Sequence, residues 1–331
     1  MAVEKTPLLM SGNKLNLPPA PFTSALARPG SDLKLPQIIA HRGYKAAYPE
    51  NTLAAFRAAV DVGAHALETD IHLSKDKVVV LSHDASLKRC FGIDKQISDC
   101  DWEYLSTLET LSAPKQHMPR LVDLLAYLAQ PENEDIWVLL DIKRDDDARE
   151  LITHVTSTIS SIPPSGRPWK DRIILGPWDT NYISLCTSLL PLHPQAYISW
   201  SLPASSKLLH TPSLPNLNFN ILLFSLLGPG GTRFLRSAKQ AGRNVFVWTV
   251  NQQEWMEWCV RKGVDGVITD DPKLFKEVCE RWGRGKERRA WRQWGREIVA
   301  WGIMALLAPA IWMQYRPGMM TRRLLANIQS L

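Results

Sequence analysis

Eight short apolar runs, separated by amphipathic segments, do most to restrict how this chain of 331 residues can fold. The runs are Ile38–Ala40, Ala64–Leu73, Ile136–Leu140, Ile173–Leu175, Ala196–Ser199, Asn220–Phe224, Val245–Thr249 and Gly266–Thr269. Between them, Thr52–Val62, Leu121–Ala129, Asp147–Ile159, Thr180–Leu190, Thr232–Ala241 and Gln252–Arg261 space their apolar residues as helices do. Strands that alternate with helices imply a parallel sheet, hence an α/β fold. Eight units over roughly 245 residues match the usual size of a closed (β/α)8 TIM barrel. A doubly wound open sheet is the competing arrangement, but reactive residues follow several strands and no glycine-rich dinucleotide turn is present.

Composition sets the boundaries. Residues 1–35 are rich in Pro, Ser, Asn and Gly without periodicity and read as a disordered leader. The barrel is expected over 36–283, with a small insertion after the second strand region, from Gly92 to Met118, over the barrel mouth. Five cysteines at irregular spacing argue for reduced thiols facing cytosol and against a disulfide framework or a structural zinc. A secretory signal is not expected, since residues 1–35 lack a basic region followed by a continuous apolar core.

The net charge of +6 is unevenly spread, with Arg281, Arg284, Lys286, Arg288, Arg289, Arg292 and Arg296 crowded near the C-terminus. They precede Ile298–Met313, sixteen residues without a charge. A straight helix of that length runs about 24 Å, short of the roughly 30 Å hydrocarbon core, and Pro309 argues against a regular span. Trp291, Trp294, Trp301 and Trp312 lie at or near its ends. Residues 284–331 therefore read as a monotopic membrane anchor assisted by anionic lipid. The expected location is a cytosol-facing membrane surface, of the endoplasmic reticulum, a lipid droplet or a mitochondrion. No groove-reading or stacking module accompanies the basic run, so nucleic acid is not an expected partner, and no obligate protein partner is inferred.

The chemistry lies at the ends of the first runs. Ile38–Ala40 closes with His41, Arg42 and Gly43; Ala66 and Leu67 lead into Glu68, Thr69 and Asp70; Val78–Leu81 closes with Ser82, His83 and Asp84. Glu68 and Asp70, two apart in a strand, point the same way. Such neighbours resist joint ionisation unless a cation lies between them, and oxygen ligands favour Mg2+ or Ca2+ over zinc. Asp141, after Ile136–Leu140, is placed to add a third carboxylate. Taken singly, each acid reads equally well as a solvated loop residue; together with two histidines that reading fails.

His41 and His83 are the candidate acid–base pair, since imidazole titrates near neutrality. Arg42 and Lys143 supply positive charge for a phosphate. Glu50 is assigned a supporting role beside Arg42 rather than direct ligation, Asp84 is placed to orient His83, and Asn51 or Thr52 caps the helix that follows.

Together HRG, Pro49-Glu50-Asn51-Thr52, Glu68-Thr69-Asp70, His83-Asp84 and the later Leu139-Leu140-Asp141-Ile142-Lys143 resemble the glycerophosphodiester phosphodiesterase family, whose members are (β/α)8 barrels. The resemblance spans roughly Leu35 to Glu280 and includes the stretches around Trp248, Asn251 and Gly263–Pro272. It implies His41 and His83 as general base and acid, one divalent cation on Glu68, Asp70 and Asp141, Lys143 near the phosphate, and Trp248 and Asn251 around the pocket. Many family members carry Glu where Asp141 stands. Within the family the wording around the motifs is similar to fungal phosphatidylglycerol phospholipase C. That likeness implies a glycerophospholipid substrate at a membrane surface, with phosphatidylglycerol cleaved to diacylglycerol and glycerol phosphate. Hydrolysis of soluble deacylated glycerophosphodiesters, lysophospholipase D activity, and a silent lipid-binding barrel are the alternatives.

Overall fold

A computed structural model of the protein describes residues 17–28 and 30–283. Eight strands alternate with eight helices: β1 (Gln37–His41), α1 (Leu53–Asp61), β2 (Ala66–Leu73), α2 (Leu121–Leu128), β3 (Trp137–Ile142), α3 (Ala148–Ser161), β4 (Ile173–Gly176) and α4 (Thr180–Leu189), followed by β5 (Ala196–Ser199), α5 (Leu202–Leu209), β6 (Asn218–Leu222), α6 (Gly228–Gln240), β7 (Val245–Trp248), α7 (Gln253–Lys262), β8 (Gly266–Thr269) and α8 (Pro272–Arg281). The strands pair in parallel in the order β4-β3-β2-β1-β8-β7-β6-β5. Between β4 and β5 the ring is drawn together by Leu175 N–H to Pro194 O and Ile198 N–H to Pro177 O, each 2.9 Å. This is the (β/α)8 barrel expected from the alternation.

Local chemistry starts many of these helices. Thr52, Asp147, Asp179, Ser201 and Asp271 each accept a hydrogen bond from a backbone N–H in the first turn of the helix they precede. Such a cap contributes about 1 kcal/mol. Helices α5 and α8 carry no expectation from the apolar pattern; α5 buries Ser205 beside Leu208 and Leu209, so apolar spacing does not mark its inner face. The run Asn220–Phe224 divides: β6 ends at Leu222, and Leu223–Leu226 turn as a 3-10 helix.

Two apolar layers share the strands. Ile39, Ala66, Trp137, Leu139, Ile174, Ala196, Ile198, Phe246 and Ile268 pack together as the barrel interior. Their neighbours Ile38, Ala40, Leu67, Val138, Leu140, Ile173, Leu175, Val245, Val247 and Val267 pack outward against the helices. With a side-chain period of two, the next inward positions above Ile39, Ala66 and Leu139 are His41, Glu68 and Asp141.

The expectation of a disordered leader needs correction within the described residues. Ala20 joins the interior cluster, Phe22 meets the Trp137 ring edge-on at 5.9 Å, and Leu17 is buried. Gln37 Nε2 donates to Phe22 O and Ser24 O, both at 2.7 Å, while Asn244 Nδ2 donates to Ala20 O and Thr23 Oγ1. The segment closes the end of the barrel opposite the site, because burying Leu17, Ala20 and Phe22 offsets the cost of ordering the chain there. Residues 1–16 and the expected membrane anchor at 284–331 lie outside the described residues. No helix among the described residues is long and apolar enough to cross a membrane.

The run Val78–Leu81 is not a barrel strand either. Strand β2 continues to Leu73, and Val79–Leu81 returns along it antiparallel, pairing Ile71 with Leu81 and Leu73 with Val79. This hairpin carries His83 back toward the mouth. The insertion beyond it holds its own cluster of Leu87, Ile97, Cys100, Leu105, Leu108 and Met118 against Val80.

Candidate active site

The inward alternation of β1, β2, β3 and β8 ends in ionisable groups. Oxygen atoms of Glu68, Asp70 and Asp141 all lie within 4.8 Å of one another, and the three residues are buried. Two cations interleave with them. Lys143 Nζ lies 2.7 Å from Asp70 Oδ1 and 2.8 Å from Asp141 Oδ2. Arg42 Nε stands 3.2 Å from Asp70 Oδ2 as an ion pair, without the alignment of a hydrogen bond, and its backbone N–H donates to Glu68 Oε2 at 3.0 Å.

Electrostatics divides the three acids. Burial, then Asp70 and Asp141 beside it, pushes the Glu68 carboxyl well above its ordinary range. Burial likewise raises Asp141, against the pull of Lys143. Asp70 goes the other way, because Lys143 and Arg42 outweigh its burial. Burial alone would lower Lys143, but Asp141 and Asp70 raise it above its ordinary value. Three buried carboxylates against two cations leave a deficit of positive charge where hard oxygen ligands converge. The residues present fit a divalent cation.

Both histidines are set by an acid. His41 Nδ1 lies 2.5 Å from Asp270 Oδ1, and Asp270 also accepts from Asn251 Nδ2 at 2.9 Å. His83 Nδ1 lies 2.8 Å from Asp84 Oδ1. In each pair burial would raise the acid, yet the hydrogen bond to the imidazole and nearby cations hold Asp270 and Asp84 below the usual carboxylate range. The ionised carboxylate accepts, so the Nδ1–H donates and Nε2 is left for the site. Burial, then Arg42, lowers His41 to about 4. Burial, then Lys143, lowers His83 to about 4.

A network of ion pairs joins the two halves. Glu50 takes Arg42 Nη1 at 2.9 Å and a bidentate grip from Arg89 at 2.7 and 2.9 Å. Arg89 Nε reaches Asp84 Oδ2 at 2.6 Å. Glu50 is absent from the carboxylate cluster and lies instead against Arg42 and Arg89. Asn51 and Thr52 separate their tasks: Thr52 caps α1, whereas Asn51 Nδ2 donates to Asp70 Oδ2 at 2.9 Å and its Oδ1 accepts from Thr69 Oγ1 at 2.8 Å. Arg42 and Asn51 hold left-handed backbone, at φ 57° and 54°, which non-glycine residues seldom adopt outside constrained sites. Gly43 is required beside them, since its φ is +81° and a Cβ there would meet Ala55 at 2.7 Å.

The other half of the mouth differs in kind. The positions that continue β4, β5 and β7 are Trp178, Trp200 and Trp248, each partly exposed. Trp178 and Trp248 meet edge to face at 5.7 Å, Trp178 Nε1 donates to Asp141 Oδ1 at 2.6 Å, and Lys143 lies 5.8 Å over the Trp178 ring. Trp248 thus lies beside the Trp178 ring that reaches Asp141, and Asn251 touches Asp270.

Asp270, Arg89, Lys45, Trp178 and Asp146 had no assigned role in the sequence. Asp146 accepts from His72 Nδ1 at 2.8 Å, and the other His72 nitrogen faces the His83 carbonyl at 3.4 Å. Asp270 lay in the recognised stretch Gly263–Pro272, directly after a strand, which was a usable signal. Arg89 offered none.

The family model described as "Glycerophosphoryl diester phosphodiesterase family" matches residues 41–274. The chain belongs to this family. As a family member it is a phosphodiesterase. A glycerophosphodiester phosphodiesterase of Caldanaerobacter subterraneus is 26% identical over 261 residues, 74% of this chain and 98% of that protein. A lysophospholipase D of Rattus norvegicus is 28% identical over 280 residues, 73% of this chain and 86% of that protein. A phosphodiesterase of Oleispira antarctica, solved with the product sn-glycerol-3-phosphate, shares the fold at TM-score 0.64 and 22% identity, covering 74% of this chain and 97% of that one.

Proposed function

We propose that this phosphodiesterase cleaves a glycerophospholipid at a membrane surface, with phosphatidylglycerol yielding diacylglycerol and glycerol phosphate. The observation that carries the reading is the meeting of three buried carboxylates with two acid-oriented imidazoles and two cations at one rim. Glu68, Asp70 and Asp141 would hold the cation, Mg2+ or Ca2+. When bound, it supplies charge to polarise a phosphoryl oxygen.

The residues of this chain do the rest. Arg42 and Lys143 hold the phosphate in line. His41 Nε2 takes the proton of the attacking hydroxyl, that of water or of the glycerol carbon next to the ester. Asp270, 2.5 Å from Nδ1, stabilises the imidazolium that results. His83 delivers a proton to the departing oxygen. Its affinity for that proton is low in the free site, and the negative charge of the bound phosphodiester shifts the balance toward imidazolium.

When the neighbouring hydroxyl attacks, the other alcohol leaves and the glycerol that carries the hydroxyl keeps the phosphate as a cyclic diester, which water then opens to the phosphate monoester. Phosphatidylglycerol then loses diacylglycerol, whereas a lysophospholipid would lose its head group. The second outcome is lysophospholipase D activity, and the rat relative of that name favours it as the second reading. The tryptophan half of the mouth supports an acylated substrate in either case, because aromatic rings bury apolar chain beside a polar centre. The cytosol-facing, membrane-attached placement is part of the same proposal and rests on residues 284–331.

The test is a panel of phosphatidylglycerol, lysophosphatidylcholine and a deacylated glycerophosphodiester, incubated with Mg2+ or Ca2+ and read by mass. Diacylglycerol from phosphatidylglycerol supports the first reading. Lysophosphatidate supports the second. Turnover of the deacylated compound alone defeats the lipid assignment.

A further inference from the structure

From Thr180 to Gln253 the chain contains no Asp or Glu, although acids occupy one position in ten across the whole sequence. The stretch supplies α4, β5, α5, β6, α6 and β7, a continuous sector of the barrel. Its charges are all basic: Lys207, Arg233, Arg236, Lys239 and Arg243. Lys207 on α5 and Arg233, Arg236 and Lys239 on α6 are exposed. Three of them recur every third residue along α6 and so share one face. Helices α5 and α6 pack side by side, and the groove between them is lined by Ser206, Leu209, His210, Arg233, Phe234 and Ser237.

The same sector is apolar at its upper edge. The turn Leu223–Leu226 leads from β6 into α6 and exposes Phe224 to 39%, with its ring edge-on to Trp255 at 6.2 Å. Trp178, Trp200 and Trp248 line the mouth just inside.

We propose that the α5–α6 flank and the Phe224 rim form a docking surface for an anionic lipid bilayer. A stripe of cations without acids of its own stretch is attracted to anionic head groups. An exposed aromatic edge beside it suits the interface between head groups and acyl chains. Docking here turns the tryptophan half of the mouth to the lipid and leaves the carboxylate half on the far side. The inference rests on the lipid-substrate reading above, and it is independent of residues 284–331.

The experiment uses the full chain in metal-free buffer with phosphatidylcholine vesicles, with and without phosphatidylserine, and measures co-sedimentation. The variant is Lys207→Gln/Arg233→Gln/Arg236→Gln, with Phe224→Ser as a second. Wild type should prefer the anionic vesicles, less so as salt rises. The triple variant should lose roughly tenfold to a hundredfold of that affinity, while turnover of a soluble deacylated glycerophosphodiester stays at the wild-type rate. Phe224→Ser should weaken binding to both vesicle types with an unchanged salt dependence. Unchanged anionic binding in the triple variant, or no anionic preference in wild type, overturns the proposal. Failure to turn over phospholipid while these binding differences persist would count against the substrate reading alone.

Discussion

Replacing Asp270 by Asn tests the least obvious member of the site. Asp270 Oδ1 lies 2.5 Å from His41 Nδ1, its Oδ2 accepts from Asn251 Nδ2 at 2.9 Å, and Lys45 Nζ stands 3.5 Å away. An amide keeps the size but removes the charge that stabilises an imidazolium at His41. A unit pair at about 4 Å contributes about 4 kcal/mol at an effective dielectric near 20. The Asp270 side chain is 19% exposed, so half that value is the lower bound we adopt. The corresponding loss in kcat is roughly 30-fold to 1,000-fold. The substitution also sets donor against donor. With its oxygen toward His41, the new amide directs N–H at the Asn251 amide; turned round, it directs N–H at the histidine. The assay is steady-state release of glycerol phosphate from a soluble glycerophosphodiester at saturating cation, with thermal melting as a control on folding. KM should change little, because Asp270 is assigned no contact with substrate. A folded variant with kcat within threefold of wild type would refute the orienting role.

Substitution of Glu68 by Gln should weaken divalent-cation binding at least roughly tenfold by calorimetry, since it removes one of three anionic ligands; unaltered binding would remove the carboxylate cluster from the mechanism. Exhaustive chelation of the wild type should abolish turnover, with recovery on adding Mg2+ or Ca2+. Replacing Arg89 by Ala should lower kcat about 10-fold to 100-fold by releasing Asp84 and with it His83, with Arg89→Lys restoring little because the fork to Glu50 is lost; equal activity of all three proteins contradicts the network. His41 and His83 titrate at about 4 in the fold against 6.5 when free. The unfolded chain therefore binds more protons between those values, so stability rises with pH across that window and is lost on acidification. Each contributes on the order of 3 kcal/mol, and His193, lowered to about 4 by burial, adds in the same direction. A melting temperature of the metal-free protein that stays flat from pH 6.5 to 4 would refute this.

Much of the fold was legible because barrel strands are buried on both faces and read as short apolar runs wherever they occur. The exceptions have local causes. Helix α5 turns Ser205 inward with Leu208 and Leu209 and so displays no apolar period, and Val79–Leu81 resembles a barrel strand by composition while pairing antiparallel with β2. The segment from Leu17 to Thr23 is proline-rich and without periodicity, yet it supplies Ala20 and Phe22 to the end of the barrel. Its order comes from a surface it covers, which no local pattern encodes.

The sequence put His41 and Asp141 at strand ends and Glu68 and Asp70 on one strand face, because a strand alternates its faces whatever lies beside it. That Ile39, Ala66 and Leu139 face the interior, and with them His41, Glu68 and Asp141, is visible only in the folded barrel. The partners do not follow. Asp270 meets His41 across 229 positions, and Trp178 reaches Asp141 across 37. Arg89 unites Glu50 and Asp84 from a four-residue helix just before the insertion. Such pairings depend on ring closure and on the register of neighbouring strands, and these are set by packing over the whole barrel. The candidate groups were thus legible residue by residue, while their protonation, orientation and charge balance were decided by tertiary structure.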